Sequence, residues 1–176
     1  MSRAFVSVGS NIDPAENVRR AIVMLARAAS VSGISTVFRT EPVGSAGQPF
    51  FYNCIVEVTT ELAPVALKRD VLRRIESALG RVRTGDRYAP RTIDLDLILY
   101  DDIVLAGKDL TLPDPDILTR SYLLAGLAEL APDLRMPGTG QRIADLNKAA
   151  SGTGTEPLHD YTDVVRKEAF RDDEQP

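Results

Sequence analysis

One histidine, one cysteine and no tryptophan occur in the 176 residues of this chain. The histidine, His159, stands in a polar stretch near the end, so chemistry that needs an imidazole inside the main fold is not expected. The lone Cys54 excludes an intrachain disulfide and a thiolate metal site. No apolar run approaches the roughly 20 residues that cross a bilayer, and no secretory leader is recognisable. The expectation is a cytoplasmic protein with no membrane contact. Positive charge is also not in excess. Against 21 lysines and arginines stand 25 aspartates and glutamates, a net charge of −4, which argues against nucleic acid as a partner.

What is present is ordinary for a soluble globular chain: 44% hydrophobic and 26% charged residues. The charge is unevenly placed. Between Lys68 and Arg91 there are eight basic and three acidic residues, a local +5 that leaves −9 for the remainder. A basic patch in an acidic protein suits a small anionic ligand better than a duplex.

Arg3 to Val8 alternates as a first strand and ends at Gly9-Ser10-Asn11, which reads as a turn. Asp13, Pro14 and Glu16 form a helix-start signal, with Asp13 as cap, and the helix should run to about Ala29. Ile34 to Arg39 reads as a second strand and Phe51 to Val58 as a third, with a Pro/Gly-rich loop between them. Pro64 opens a second helix that Gly80 stops. The strand bearing Asp94 follows, then a turn at Asp101-Asp102 and a short return over Ile103 to Ala106. Thr119 is expected to cap a helix over Tyr122 to Leu130, and a further short helix is expected at 143–149. Residues 1–150 then form one domain, and 151–176 a loosely held tail. Strand–helix–strand–strand–helix–strand is the ferredoxin-like pattern, an α+β fold with an antiparallel sheet and helices mainly on one face.

The most informative stretch is Arg81 to Tyr100. Four arginines, Arg81, Arg83, Arg87 and Arg91, lead into a strand in which Ile93, Leu95, Leu97 and Leu99 should share one face and Asp94 and Asp96 the other. Adjacent carboxylates about 7 Å apart repel one another, and divalent cations are the obvious remedy. Arginines contact phosphate oxygens directly. Taken alone, the arginine run reads as ordinary loop solvation, and Phe51 and Tyr122 read as core packing. Asn53 in a strand points more to function, because a buried amide needs partners.

The run Ala89-Pro90-Arg91-Thr92-Ile93-Asp94-Leu95-Asp96-Leu97-Ile98 resembles the signature of the 6-hydroxymethyl-7,8-dihydropterin pyrophosphokinase family. Supporting pieces are Val8-Gly9-Ser10-Asn11, Arg39-Thr40 with Pro42-Val43-Gly44, Phe51-Tyr52-Asn53, Arg81-Val82-Arg83 and Leu112-Pro113, and together they span about residues 3 to 150. The resemblance implies pyrophosphoryl transfer from ATP to a pterin alcohol with release of AMP, in folate biosynthesis. It implies that Asp94 and Asp96 bind two Mg²⁺ ions. Arg81, Arg83, Arg87 and Arg91 would contact the triphosphate, with Arg81 and Arg91 stabilising transition-state charge. Glu76, Leu97, Thr111 and Arg120 fall where the family touches ATP. Thr40, Pro42, Val43, Phe51, Asn53, Tyr88 and Tyr122 fall where it holds the pterin. The loops Gly44–Pro49 and Thr84–Ala89 are expected to close over bound ATP.

Three departures stand out. Tyr88 occupies a place where tryptophan is frequent, Asp114 one where histidine follows Leu-Pro, and Asp109 one where some members are basic. Two other readings of the paired aspartates remain: a polymerase-like two-metal transferase, and a non-catalytic ferredoxin-like ligand-binding module. A monomer with small-molecule partners only is the simplest expectation.

Overall fold

The computed structural model describes residues 1–42, 47–86, 88–150 and 155–170. Its elements in chain order begin with β1 (Ser2–Ser10), α1 (Pro14–Ala28), β2 (Ser30–Ile34), β3 (Phe38–Thr40) and β4 (Phe51–Thr60). There follow α2 (Pro64–Ala66), a π-helical turn (Leu67–Leu72), α3 (Arg73–Ala78) and β5 (Asp94–Tyr100). Then come a small hairpin of β6 (Leu105–Ala106) and β7 (Thr111–Leu112), a 3-10 turn (Pro115–Leu118), α4 (Ser121–Leu130), α5 (Ile143–Ala149), β8 (Thr155–Pro157) and α6 (His159–Ala169). The main sheet runs β5-β1-β4-β3-β8, with β2 also paired to β4, and every described pairing is antiparallel. With β1 in the middle and the strands of each β-α-β unit separated, this is the expected split arrangement.

Strand alternation divides the core in two. On the first face Val6, Val8, Cys54, Val56, Leu95 and Leu97 meet α1, the α2–α3 helix and α6. On the second, Phe5, Ile55, Ile98 and Leu99 meet α4 and α5. The second face is therefore covered at one end and open at the other. The open end carries Ser7, Gly9, Asn53, Asp94 and Asp96. Gly126 lets α4 sit close to the sheet, since a Cβ there would stand 2.6 Å from Ile55 Cγ1.

Four local expectations change. Leu99 does not share a face with Leu95 and Leu97. Val6 pairs with Leu97 but Phe5 pairs with Leu99, so Ile98 is an extra residue that reverses the alternation. Asp13 stands at the N-cap position of α1, as expected, but its side chain does not cap the helix. It is left-handed (φ 41°, ψ 53°) and makes no side-chain cap hydrogen bond, while Asn17 Nδ2 donates to the Ile12 carbonyl at 2.7 Å. Arg120, not Thr119, precedes α4, because Thr119 closes the 3-10 turn. The second strand is broken at 35–37, giving β2 and β3.

The expectation of a loosely held tail covers 151–176. Its described residues, 155–170, contain β8, which pairs with β3, and α6, whose Val165 and Ala169 are buried in the first core. Thr162, at 1% exposure, faces inward with them. Three small buried residues spaced three and four apart are enough to seat a helix whose composition is otherwise polar.

Candidate active site

The open end of the second face is built from register. Gly9 lies opposite Asn53 on β4 and opposite Asp94 on β5, and Ser7 lies opposite Ile55 and Asp96. One residue inward, the Ser10–Asn11 turn holds the start of the Asp94 strand. Asn11 Oδ1 accepts from the Arg91 amide at 2.7 Å, and the Asn11 and Ile12 amides donate to the Arg91 carbonyl. Asn11 Nδ2 donates to Gln48 Oε1 at 3.3 Å, and Gln48 Nε2 donates to the Tyr88 carbonyl at 2.8 Å. Three loops thus meet through one asparagine and one glutamine.

Asp94 and Asp96 have different surroundings. Asp94 is paired with Arg91 at 2.5 Å and with Arg81 at 3.7 Å. Asp96 opens to the cleft with no ion pair among the described contacts. Loss of hydration, then the negative charges of Asp94, Glu76 and Asp114, push its carboxyl up to about 7. Burial, with the positive charges of Arg91 and Arg83, works against the Arg81 guanidinium and outweighs the support of nearby Asp94, leaving its pKa lowered. Glu76 is 2% exposed and fully engaged: it accepts from the Leu95 amide at 3.0 Å and from Arg83 at 2.7 Å. Its side chain braces β5 from the first face.

Three cavities follow one another along the cleft. The first, about 220 Å³, is lined by Thr40, Phe51, Asn53, Tyr88 and Tyr122 together with Arg91, Asp94 and Asp96. Asn53 Nδ2 donates to Thr40 Oγ1 at 2.7 Å, which fixes the amide, and the Arg91 guanidinium lies 5.7 Å from the Phe51 ring centre. Burial pushes the Tyr122 phenol up to about 12. The second cavity, about 300 Å³, shares Asp96 and Asp116 with the first and adds Leu97, Lys108, Thr111 and Asp114. The third, about 580 Å³, shares Lys68, Asp109 and Leu110 with the second and adds Val65, Glu76, Arg81 and Arg83.

Of the residues singled out in the sequence, Pro42 is half-buried but outside the described lining of the first cavity, and Val43 and Arg87 lie outside the described residues. Residues 44–46 of the first expected lid lie outside them as well. Arg120 is on the first cavity, bridged to Asp116 at 2.9 Å, rather than on the arginine-rich side. Leu97 is a core side chain that only edges the second cavity. Asp114 turns one oxygen to the Asp116 amide at 2.8 Å, capping the 3-10 turn, and burial raises its pKa. Ser7, Gly9, Glu41, Gln48, Asp116 and Lys68 line the cleft without having been singled out as ligand contacts. Only Gly9, inside the Gly-Ser-Asn turn, carried a local signal.

Metal fits are constrained by donors. Among the described residues no three histidine, cysteine, aspartate or glutamate side chains converge. Two adjacent carboxylates, one of them repelled by its neighbours, suit a hard cation that takes its remaining ligands from water and phosphate. Among the described residues, buried Arg81 Nε and Thr92 Oγ1 have no hydrogen-bond partner.

An antiparallel sheet with paired aspartates between a ring- and amide-lined cavity and an arginine-rich groove is an arrangement that suits a phosphotransferase. The family model described as 7,8-dihydro-6-hydroxymethylpterin-pyrophosphokinase (HPPK) matches residues 5–132. The chain is 36% identical over 161 residues to the 2-amino-4-hydroxy-6-hydroxymethyldihydropteridine pyrophosphokinase of Pseudomonas aeruginosa, covering 90% of this chain and 98% of that protein. To the enzyme of the same name from Haemophilus influenzae it is 34% identical over 151 residues, covering 84% and 92%. The chain belongs to the HPPK family and is a pyrophosphokinase of folate biosynthesis that uses ATP. Its fold matches Plasmodium falciparum HPPK-DHPS crystallised with pteroate at a TM-score of 0.66 and 12% identity, covering 84% of this chain and 40% of that one. No helix among the described residues is long and apolar enough to cross a membrane.

Proposed function

We propose that the chain transfers the pyrophosphoryl group by in-line displacement, with the alcohol of 6-hydroxymethyl-7,8-dihydropterin in the first cavity and ATP along the second and third. The alcohol oxygen bonds to the β-phosphorus as the bond from that phosphorus to the α,β-bridging oxygen breaks, AMP leaves, and the hydroxyl proton passes to water. The observation that supports this most is that Asp96 lines both of the cavities between which the group must pass. Two Mg²⁺ ions held by Asp94 and Asp96 would neutralise polyphosphate charge and hold the attacking and leaving oxygens together.

The chain's own contribution is positioning and electrostatics. Asn53, oriented by Thr40, reads the polar edge of the pterin, and Phe51, Tyr88 and Tyr122 supply ring surface. Arg81 and Arg91, engaged on Asp94 here, exchange that partner for phosphate oxygens as charge builds in the transition state. Arg83, Arg87 and Thr111 complete the triphosphate contacts. Arg120 belongs with the acceptor rather than with ATP, because it stands beside Tyr122 on the first cavity. The catalytic unit comprises residues 1–150 with 155–169 docked on it. The reading is of a monomer acting in the cytoplasm.

Asp96→Ala tests the reading. AMP release from ATP and the pterin alcohol should fall by about a thousandfold or more while circular dichroism and melting stay those of a folded protein. Substantial turnover in that variant would sink the assignment.

A further inference from the structure

The least regular part of the sheet is held by the C-terminal helix. Between β2 and β3 the Ser35 amide still donates to the Ile55 carbonyl of β4 at 2.9 Å, whereas the backbone groups of Thr36 and Val37 find partners on other elements. The Thr36 amide donates to Glu129 of α4 at 2.8 Å, and the Val37 amide to Thr162 Oγ1 of α6 at 2.9 Å. The Val37 carbonyl accepts from the Leu158 amide at 2.8 Å. Arg166 donates twice to the Ile34 carbonyl, at 2.9 and 2.7 Å, and pairs with Glu129 at 2.7 Å. Thr162 itself is 1% exposed and passes its own hydrogen to the Leu158 carbonyl at 2.7 Å.

What this stitching delivers is β3. That strand has three residues, pairs with β4 on one side and β8 on the other, and sets Thr40 opposite both Phe51 and Thr155. Thr40 in turn fixes the amide of Asn53. We propose that Thr155–Ala169 is a positioning element for the acceptor cavity, with Thr162 as its anchor and Arg166 as its brace. Both act through β3 and touch no substrate. The inference rests on the assignment of that cavity to the pterin.

Thr162→Val in the full chain keeps the shape and leaves the buried Val37 amide without an acceptor. The KM for the pterin alcohol should rise about tenfold, with kcat and the KM for ATP within about twofold, and Thr162→Ser should restore it. Backbone hydrogen exchange over Phe38–Thr40 should quicken selectively. Arg166→Gln, a change at a half-exposed side chain, should give a smaller shift of the same kind and decides the matter if the valine variant does not fold. Unchanged exchange in β3 overturns the proposal, as does a parallel loss in all three kinetic constants. Asn53→Ala separates the two ideas. If it leaves the pterin KM unchanged, the assignment of the cavity fails, and hydrogen exchange alone judges the positioning.

Discussion

Asn53 Oδ1 occupies the space that a Cβ on Gly9 would need, 2.5 Å from its ideal position across the β1–β4 ladder. The absence of a side chain at residue 9 is what allows the amide to lie this close to β1 in the first cavity.

Gly9→Ala therefore displaces Asn53 from its bond to Thr40. We expect the KM for the pterin alcohol to rise about tenfold, with a stability change within about 1–2 kcal/mol because the clash is with a side-chain end. Steady-state kinetics and urea denaturation check both parts.

Glu76 gives the opposite pattern. Removing it leaves the Leu95 amide buried without an acceptor and Arg83 without its partner. Glu76→Ala should cost about 2–4 kcal/mol in urea denaturation. A variant as stable as the parent would contradict its role as a brace.

In the metal-free protein, ionising Asp96 opposes folding. Its carboxyl is pushed up to about 7 from an ordinary 3.8, so the folded chain keeps a proton that the unfolded chain releases. The associated stability is intact below about pH 4 and lost as the pH rises through about 7. In EDTA, Asp96→Asn should gain on the parent in melting temperature between pH 5 and pH 8. A gap that does not change with pH would refute this.

Cys54 is buried, and burial pushes its thiol up to about 12. Thiol reagents at pH 8 should leave the native protein unlabelled and modify one group per chain in urea. Rapid native labelling would show that β4 opens far more readily than its burial implies.

Much of the site was legible because its residues are close in sequence. Asp94 and Asp96 sit two apart on a strand, Phe51 and Asn53 likewise, and both pairs line the first cavity. Gln48, Asp116 and Lys68 were not legible, because they are common residue types whose meaning comes from loops and helices that meet only in the fold. In the same way, the period-two reading of β5 holds through Leu97 and fails at Ile98, since alternation in a sequence cannot register one unpaired residue. The docking of residues 155–170 was not legible for a related reason. Composition weighs all of His159–Ala169, whereas the face that is buried is only Thr162, Val165 and Ala169. The Asp13-Pro14 signal marked the helix start correctly, but the side chain does not cap because a cap needs an extended backbone, which this residue does not have.

The extra residue at Ile98 makes β5 two half-strands with separate duties. Up to Leu97 the pleat sets where the carboxylates point. Beyond Ile98 it sets how α4 is seated on the sheet. Substitutions at Leu99 or Tyr100 can retune packing without turning Asp94 or Asp96, so chemistry and stability can drift independently along a single seven-residue strand.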